Sequence, residues 1–176
     1  MNGIEPRWLQ MFEQAFALCG VQRGDTCAVL CETQSRPDLP ALSMLALARL
    51  GARPFRIELP TPPVTTPVPV RSTGASMAIG GLAPVVEALS RCGFIADCTV
   101  EGLQHAAELP RVLAGGARVL VVSHEHPEIL ERCLPRAEDE APVRESMRRL
   151  RAAREMQVSS VAGTDLRIAS VSYTHL

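Results

Sequence analysis

Short apolar runs alternate with longer segments of helical periodicity along most of this 176-residue chain. Apolar runs of about five residues, separated by helices of about ten or more, predict βαβ units in which successive strands lie parallel. The connection between two such strands is right-handed in nearly all proteins. The sequence therefore predicts an α/β fold that is Rossmann-like and doubly wound, with a mainly parallel sheet and helices on both faces. The predicted strands are Ala28–Cys31, Arg53–Leu59, Phe94–Cys98, Arg118–Val122 and, as a fifth candidate, Gln157–Val161.

The segments between these strands carry apolar residues at helical spacing. In the last of them, Val143, Met147 and Leu150 fall on one face together with Ala153, and we predict that this face is buried. The predicted helices are residues 5–19, residues 38–50, a segment that begins near Pro84, Leu103–Ala114, His126–Leu134 and Val143–Met156.

Several enzyme classes require residues that this sequence lacks. All 18 basic residues are arginines, so the chain can form neither a P-loop lysine nor a Schiff-base lysine. The first predicted strand-to-helix turn, residues 31–36, contains no glycine, which excludes the dinucleotide-binding fingerprint. No G-x-S-x-G motif is present, which excludes the nucleophile elbow of α/β-hydrolases. A net charge of −1 gives no electrostatic footprint for nucleic acid or for an anionic membrane.

The six cysteines are spread along the chain without a C-x-x-C pair. Most fall inside predicted apolar strands or helices, and we interpret them as reduced thiols rather than as a disulfide framework or a metal site. The first 20 residues contain charged side chains and lack the apolar core of a signal peptide. No apolar stretch approaches the length of a membrane span. These observations predict a cytoplasmic protein.

The pattern divides the chain into three predicted parts. Residues 1–160 form the predicted amino-terminal α/β domain, residues 161–170 the start of a truncated second domain, and residues 171–176 a non-native tail. The tail holds the only tyrosine and resembles translated sequencing-adapter read-through. Within the first part, the proline-rich segment Pro60–Gly81 cannot form a central strand or helix. A loop of this length is usually functional or an interface arm, and we expect it to contribute contacts in a homo-oligomer.

Polar side chains follow each of the first four predicted strands. In an open parallel sheet, ligands bind beyond the carboxyl ends of the strands, so these side chains converge on one edge. His105 follows the third strand at the predicted start of a helix, and Glu108 lies one turn later, where its carboxylate could orient the imidazole. Two interpretations stay open from spacing alone: an acid/base residue, or a surface histidine beside a solvated carboxylate. The edge comprises Glu32–Thr33, Pro60–Thr61, Thr99 with Glu101 and His105, and residues 123–126.

The run His124-Glu125-His126 has the H-x-H spacing of some metal sites. No third ligand lies nearby in the sequence, and His126 precedes Pro127 at a predicted helix start, where a turn role suffices. We therefore predict no metal site in this chain.

Four motifs carry a family resemblance: Thr99–His105 followed by Glu108–Pro110, Gly116–Leu120, Glu125–Arg132 and Ala162–Leu166. Together they resemble the 2,5-dihydroxypyridine 5,6-dioxygenases and their relatives, many of which are labelled leucyl aminopeptidases of the aminopeptidase T type. The similarity extends over nearly all of residues 8–168.

The resemblance implies an Fe(II)-dependent, ring-opening dioxygenase acting on a small molecule or, alternatively, an aminopeptidase with a pair of zinc or cobalt ions. In both groups the metal ligands belong to a second domain, so the resemblance assigns no ligand here and implies that this chain alone is inactive. The histidine matching His105 is an acid/base group in the dioxygenases, which implies a catalytic role for His105 and favours the dioxygenase. Glu101 and Glu108 are then candidate substrate-binding residues. A third alternative, of another class, is a non-catalytic domain that contributes only oligomer contacts.

Overall fold

The computed structural model describes residues 4–63, 74–122 and 124–169. The chain divides into two compact units, Met1–Leu134 and Pro135–Leu176. The division falls inside the segment that the sequence predicts to be one domain, residues 1–160. The predicted non-native tail lies outside the described residues, and so does the middle of the proline-rich segment.

A four-stranded parallel sheet lies at the centre of the first unit. Its strands are β1 (Thr26–Glu32), β2 (Arg53–Leu59), β3 (Phe94–Cys98) and β4 (Arg118–Val121). They are arranged in the order β2-β1-β3-β4, and every neighbouring pair is parallel. Both central strands are buried along nearly their whole length, which requires continuous apolar runs rather than an alternating pattern. The predicted α/β class with a mainly parallel sheet is confirmed.

Helices cover both faces of this sheet. They are α1 (Pro6–Leu18), α2 (Asp38–Arg49), α3 (Ala83–Ser90), α4 (Leu109–Ala114) and α5 (Pro127–Cys133). Helices α1, α2 and α5 contribute to one hydrophobic cluster, and α3 and α4 contribute to a second. The strands supply both clusters, since Val29 of β1 belongs to the first and its neighbour Leu30 to the second. This two-layer covering is what the predicted doubly wound fold requires.

The second unit contains a short 3-10 helix (Ala137–Asp139), helix α6 (Glu140–Ala152) and an antiparallel hairpin of β5 (Glu155–Ser159) and β6 (Asp165–Ala169). The fifth strand predicted at Gln157–Val161 is thus replaced by β5, which pairs with β6 and not with the parallel sheet. The predicted burial along α6 is wrong, because Val143, Met147 and Leu150 are 58%, 45% and 56% exposed. Helical spacing identifies the apolar face of a helix but does not supply an element to cover it. None of the helices in the described ranges is long and apolar enough to cross a membrane.

All six cysteines are free thiols. Burial raises the pKa of Cys27 to about 11 and that of Cys98 to about 12. Both thiols are therefore protonated at neutral pH and are poor nucleophiles. Cys133, by contrast, is exposed.

Candidate active site

The strand order creates a crevice at one edge of the parallel sheet. From β1 the chain crosses to β2 on one side, and from β2 it returns to β3 on the other side of β1. Such a switch point, at the carboxyl ends of two adjacent strands, is the usual ligand site of open α/β sheets. Here it lies between Glu32, which ends β1, and Cys98, which ends β3. We call the surrounding residues the switch-point site: Glu32, Ser35, Ser76, Asp97, Thr99, Glu101 and His105.

Asp97 organises the loop that follows β3. Its side chain is fully buried, and its Oδ1 accepts hydrogen bonds from the backbone N–H and the hydroxyl of Thr99, at 3.0 and 2.7 Å. Its Oδ2 accepts a hydrogen bond from the N–H of Leu103 at 2.6 Å, and the Thr99 hydroxyl accepts one from the N–H of Gly102 at 3.1 Å. Because these bonds hold the loop in turns, the helix predicted from Leu103 begins only at Leu109.

The environment of Asp97 gives its carboxyl an unusual proton affinity. Burial raises the pKa of Asp97, and the nearby Glu32 carboxylate adds to the rise. The hydrogen bonds from Thr99 and Leu103 favour the charged form and oppose the shift in pKa without cancelling it. The carboxyl therefore holds its proton to a higher pH than an ordinary aspartate.

A short segment, here called the clip, begins at Gly74, ends at Ser76 and is bonded to this loop. The N–H of Gly74 donates to the carbonyl of Glu101 at 2.7 Å, and the N–H of Ser76 donates to the carbonyl of Gly102 at 2.8 Å. The N–H of His105 donates back to the carbonyl of Gly74. Three backbone hydrogen bonds therefore join the clip to the loop.

Gly74 is also the point of closest approach between the clip and the His105 side chain. Its φ is +71°, and a Cβ at this position would lie 3.1 Å from Cδ2 of His105 and 3.1 Å from Cβ of Gln104. A backbone of this conformation strains most residues other than glycine. A side chain at position 74 would therefore need both an unfavourable backbone conformation and a small displacement of Gln104 or His105.

Glu32 connects the clip to the central strands. It is 2% exposed, and its Oε1 accepts a hydrogen bond from the Ser76 hydroxyl at 2.9 Å. Ser76 Oγ accepts in turn from the N–H of Ala78 at 3.1 Å. On the other side, the N–H of Glu32 donates to Ser35 Oγ at 2.8 Å, and the Ser35 hydroxyl donates to the carbonyl of Cys98 at 2.7 Å. The second carboxylate oxygen, Oε2, is buried without a hydrogen-bond partner among the described residues.

His105, the predicted catalytic residue, is exposed in the turn between β3 and α4. Glu101, which is half-buried, lies four residues earlier, and half-buried Glu108 is the N-cap residue of α4. Within the described ranges, no hydrogen bond or ion pair joins His105 to Glu108, so the predicted orientation of the imidazole is not formed. The physical reason is that this segment is not helical, and a spacing of three residues brings side chains together only on a helix.

The His124-Glu125-His126 run contributes to local structure. His126 Nδ1 accepts from the N–H of Glu128 at 3.4 Å, at the start of α5, and its ring packs edge-on against Trp8 with centroids 5.1 Å apart. His124 Nδ1 accepts from the N–H of Arg36 at 3.4 Å. Across residues 4–63, 74–122 and 124–169, no three His, Cys, Asp or Glu side chains are placed to hold a metal ion.

Comparison with known proteins assigns the family. The model of the family described as NicX, 2,5-dihydroxypyridine 5,6-dioxygenase, matches residues 7–176. This chain belongs to the NicX family. A 2,5-dihydroxypyridine 5,6-dioxygenase of Pseudomonas putida KT2440 is 31% identical over 158 residues, which are 89% of this chain and 44% of that protein. The solved structure of 2,5-dihydroxypyridine dioxygenase from the same organism superposes with a TM-score of 0.80 at 30% identity, over 92% of this chain and 46% of that one.

Membership of the NicX family confirms the resemblance seen in the sequence motifs. The chain spans less than half the length of the two relatives, at 44% and 46%. The roles of His105, Glu101 and Glu108 stay predictions, because the family match does not by itself assign a function to any residue.

Sequence reasoning placed Glu32 among the polar side chains of the ligand edge without giving it a role, and it did not identify Ser76 or Asp97 in this NicX-family chain. A signal for the two carboxylates was nevertheless present, since Asp97 lies inside the apolar strand β3 and Glu32 ends the apolar strand β1. A carboxylate in a buried strand needs hydrogen-bond donors around it, and such a position marks a polar network. Ser76 had no comparable signal, because its partner is distant in sequence.

Proposed function

We propose that this chain is part of a non-haem iron dioxygenase that opens the ring of 2,5-dihydroxypyridine or of a closely related N-heteroaromatic compound. The observation that carries the proposal is the match of the NicX family model to residues 7–176. Both relatives described above are dioxygenases by name, and this favours a dioxygenase over an aminopeptidase of the aminopeptidase T type.

The proposed cofactor is Fe(II), held by residues outside the described part of this chain. A stable metal site needs a nearly complete set of ligands, and the described residues do not fit one, because no three suitable side chains converge. We therefore assign no residue of this chain to the metal. The aminopeptidase alternative would require a pair of zinc or cobalt ions instead.

His105 is the proposed acid/base group toward the substrate. An imidazole can accept and donate protons near neutral pH, and a dihydroxypyridine presents ring hydroxyl protons that move when the ring is opened. Three observations support the assignment: the ring of His105 is exposed, it follows β3 at the switch point, and the clip holds its backbone. Glu101 and Glu108 flank it in sequence, and we propose that they bind polar groups of the substrate.

We further propose that the protein works in the cytoplasm as a homo-oligomer. Six free cysteines are consistent with a reducing compartment. The proline-rich segment is the proposed contact between copies, because extended proline-rich chain loses little entropy when it docks. Neither nucleic acid nor a membrane is a proposed partner.

An assay of the whole protein tests the proposed activity. The protein is purified without oxygen, supplied with Fe(II) and mixed with 2,5-dihydroxypyridine in aerated buffer. We expect the ultraviolet absorbance of the substrate to fall while oxygen is consumed in a fixed molar ratio to the substrate. Protein supplied with Zn(II) is expected to be inactive. Hydrolysis of a leucine anilide with zinc or cobalt would identify the peptidase instead. Inactivity in both assays would favour a non-catalytic domain.

The 176-residue chain on its own is expected to bind neither Fe(II) nor Zn(II) at a stoichiometric site tighter than about 1 µM. The reason is the lack of converging ligands among the described residues. Anaerobic calorimetric titration of the purified chain measures this directly. A tight one-to-one site for either ion would show that this chain contributes metal ligands, and would overturn the proposed location of the iron.

A further inference from the structure

Glu32 is an unusual residue for the end of a buried central strand. Its side chain is 2% exposed, one carboxylate oxygen is bonded by a hydroxyl, and the other has no partner in the described part of the chain. Removing a carboxylate from water is costly unless donors replace the water. The stability of the strand therefore does not explain a glutamate here, and the contact with Ser76 points to another role.

Hydrogen bonds at the two ends of the clip connect Glu32 to His105 through the clip backbone. Oε1 of Glu32 accepts from the Ser76 hydroxyl at 2.9 Å, and Ser76 is itself 2% exposed. The Ser76 backbone bonds to Gly102 at 2.8 Å, and two residues earlier Gly74 accepts the N–H of His105. The clip therefore connects a rigid, buried strand end to an exposed histidine.

The loop that carries His105 is held from two sides. Asp97 of β3 binds it from within, through Thr99 and Leu103. The clip binds it from outside, and the Ser76 hydroxyl ties the clip to Glu32 at the end of β1. We expect that loss of this bond leaves the hydrogen bonds of Asp97 to the loop intact and loosens the backbone hydrogen bonds between the clip and the loop.

We propose that Glu32 and Ser76 are positioning residues, which hold the clip against the loop and thereby fix His105 at the mouth of the switch-point site. The catalytic consequence rests on the proposed function of His105. Ser76→Ala removes the hydroxyl that donates to Glu32 and accepts from the N–H of Ala78, and it touches neither His105 nor the core of β1.

Amide hydrogen exchange on the ¹⁵N-labelled chain, measured by NMR, tests the proposal. In Ser76→Ala, we expect the His105 amide to exchange at least about tenfold faster, because opening of the clip exposes its hydrogen bond to Gly74. The amide of Val29, in the fully buried centre of β1, is expected to exchange at the wild-type rate. This contrast separates local loosening from a general loss of stability.

Substitutions of the carboxylate provide the controls. Glu32→Ala is expected to reproduce the effect of Ser76→Ala, and Glu32→Gln to restore slow exchange, because the amide oxygen can still accept from the Ser76 hydroxyl. Glu87→Gln, which changes an exposed carboxylate on α3, is expected to leave both amides unchanged. An unchanged His105 rate in Ser76→Ala, or a rise matched by Val29, would overturn the proposal.

Turnover of the whole protein gives the functional readout. Ser76→Ala is expected to lower kcat about tenfold at a temperature where the variant is fully folded, and Glu32→Gln to recover most of it. The two proposals fail in different ways. Unchanged turnover in His105→Gln would end the catalytic role of His105 but leave the exchange result standing, whereas unchanged exchange would end the positioning role whatever the turnover.

Discussion

Replacing His105 by glutamine in the whole protein is expected to lower kcat by about a hundredfold or more, with the melting temperature close to that of the wild type. Glutamine keeps the approximate size of histidine and a hydrogen-bonding group, but it cannot take up and release a proton near neutral pH. The His105 side chain is exposed, so its replacement removes no buried contact from the fold. Steady-state turnover and thermal unfolding, measured on the same preparation, check both parts.

His126 offers a matched histidine control on the same chain. Its Nδ1 accepts the N–H of Glu128 at the start of α5, and its ring packs against Trp8. Loss of a helix cap costs about 1 kcal/mol, so His126→Gln is expected to lower the melting temperature and to leave kcat unchanged. If His105→Gln showed this structural pattern, with intact turnover and reduced stability, the catalytic assignment of His105 would be wrong.

The parallel sheet could be predicted closely because its strands are short and its two central strands are buried. The observed bounds of β2, Arg53–Leu59, and β3, Phe94–Cys98, are the ones the sequence predicts. Strand order could not be predicted, because the hydrophobic pattern of a strand buried on both faces does not specify its neighbours.

The predicted start of α4 and the predicted burial of α6 were wrong for a common physical reason. Both depend on contacts with other parts of the chain, and a local sequence pattern does not specify such contacts. Helix α4 begins six residues later than predicted because the Asp97 carboxylate takes the N–H of Leu103, and a side chain earlier in the sequence thereby holds the segment in turns. The helical spacing of apolar residues correctly identifies the apolar face of α6. Leu150 on that face is nevertheless 56% exposed, because the spacing does not specify which other element would cover the face.

Prediction of the candidate site is limited in the same way, because the local sequence does not specify contacts between distant residues. His105 was found through its position after β3 and through the family resemblance, and both are visible in the sequence. The bond between Glu32 and Ser76 joins residues 44 apart, and helix α2 and strand β2 lie between them in the chain. Nothing in the local sequence around Ser76 indicates such a partner, so the positioning network emerges only from the fold.

Replacing Asp97 by alanine is expected to lower the free energy of unfolding of the first unit by about 3–5 kcal/mol. The N–H groups of Thr99 and Leu103 would lose their acceptor, and an unsatisfied buried group costs about 1–3 kcal/mol. The lost side-chain volume in a fully buried position adds a cavity cost. Urea denaturation followed by the fluorescence of Trp8 measures the change, because Trp8 is the only tryptophan and is buried in the core of this unit.

Asp97→Asn separates proton binding from side-chain volume. Because burial raises the pKa of Asp97, the native state holds this proton more tightly than the unfolded chain does. The resulting stabilisation is fully present below the unfolded pKa of 3.8 and is lost as the pH rises through the raised native pKa. Asparagine does not titrate, so the stability of the wild type relative to Asp97→Asn is expected to be highest near about pH 4 and to fall toward neutral pH. A relative stability of the wild type that rises with pH would instead mean that the donors from Thr99 and Leu103 outweigh burial and hold Asp97 as a carboxylate.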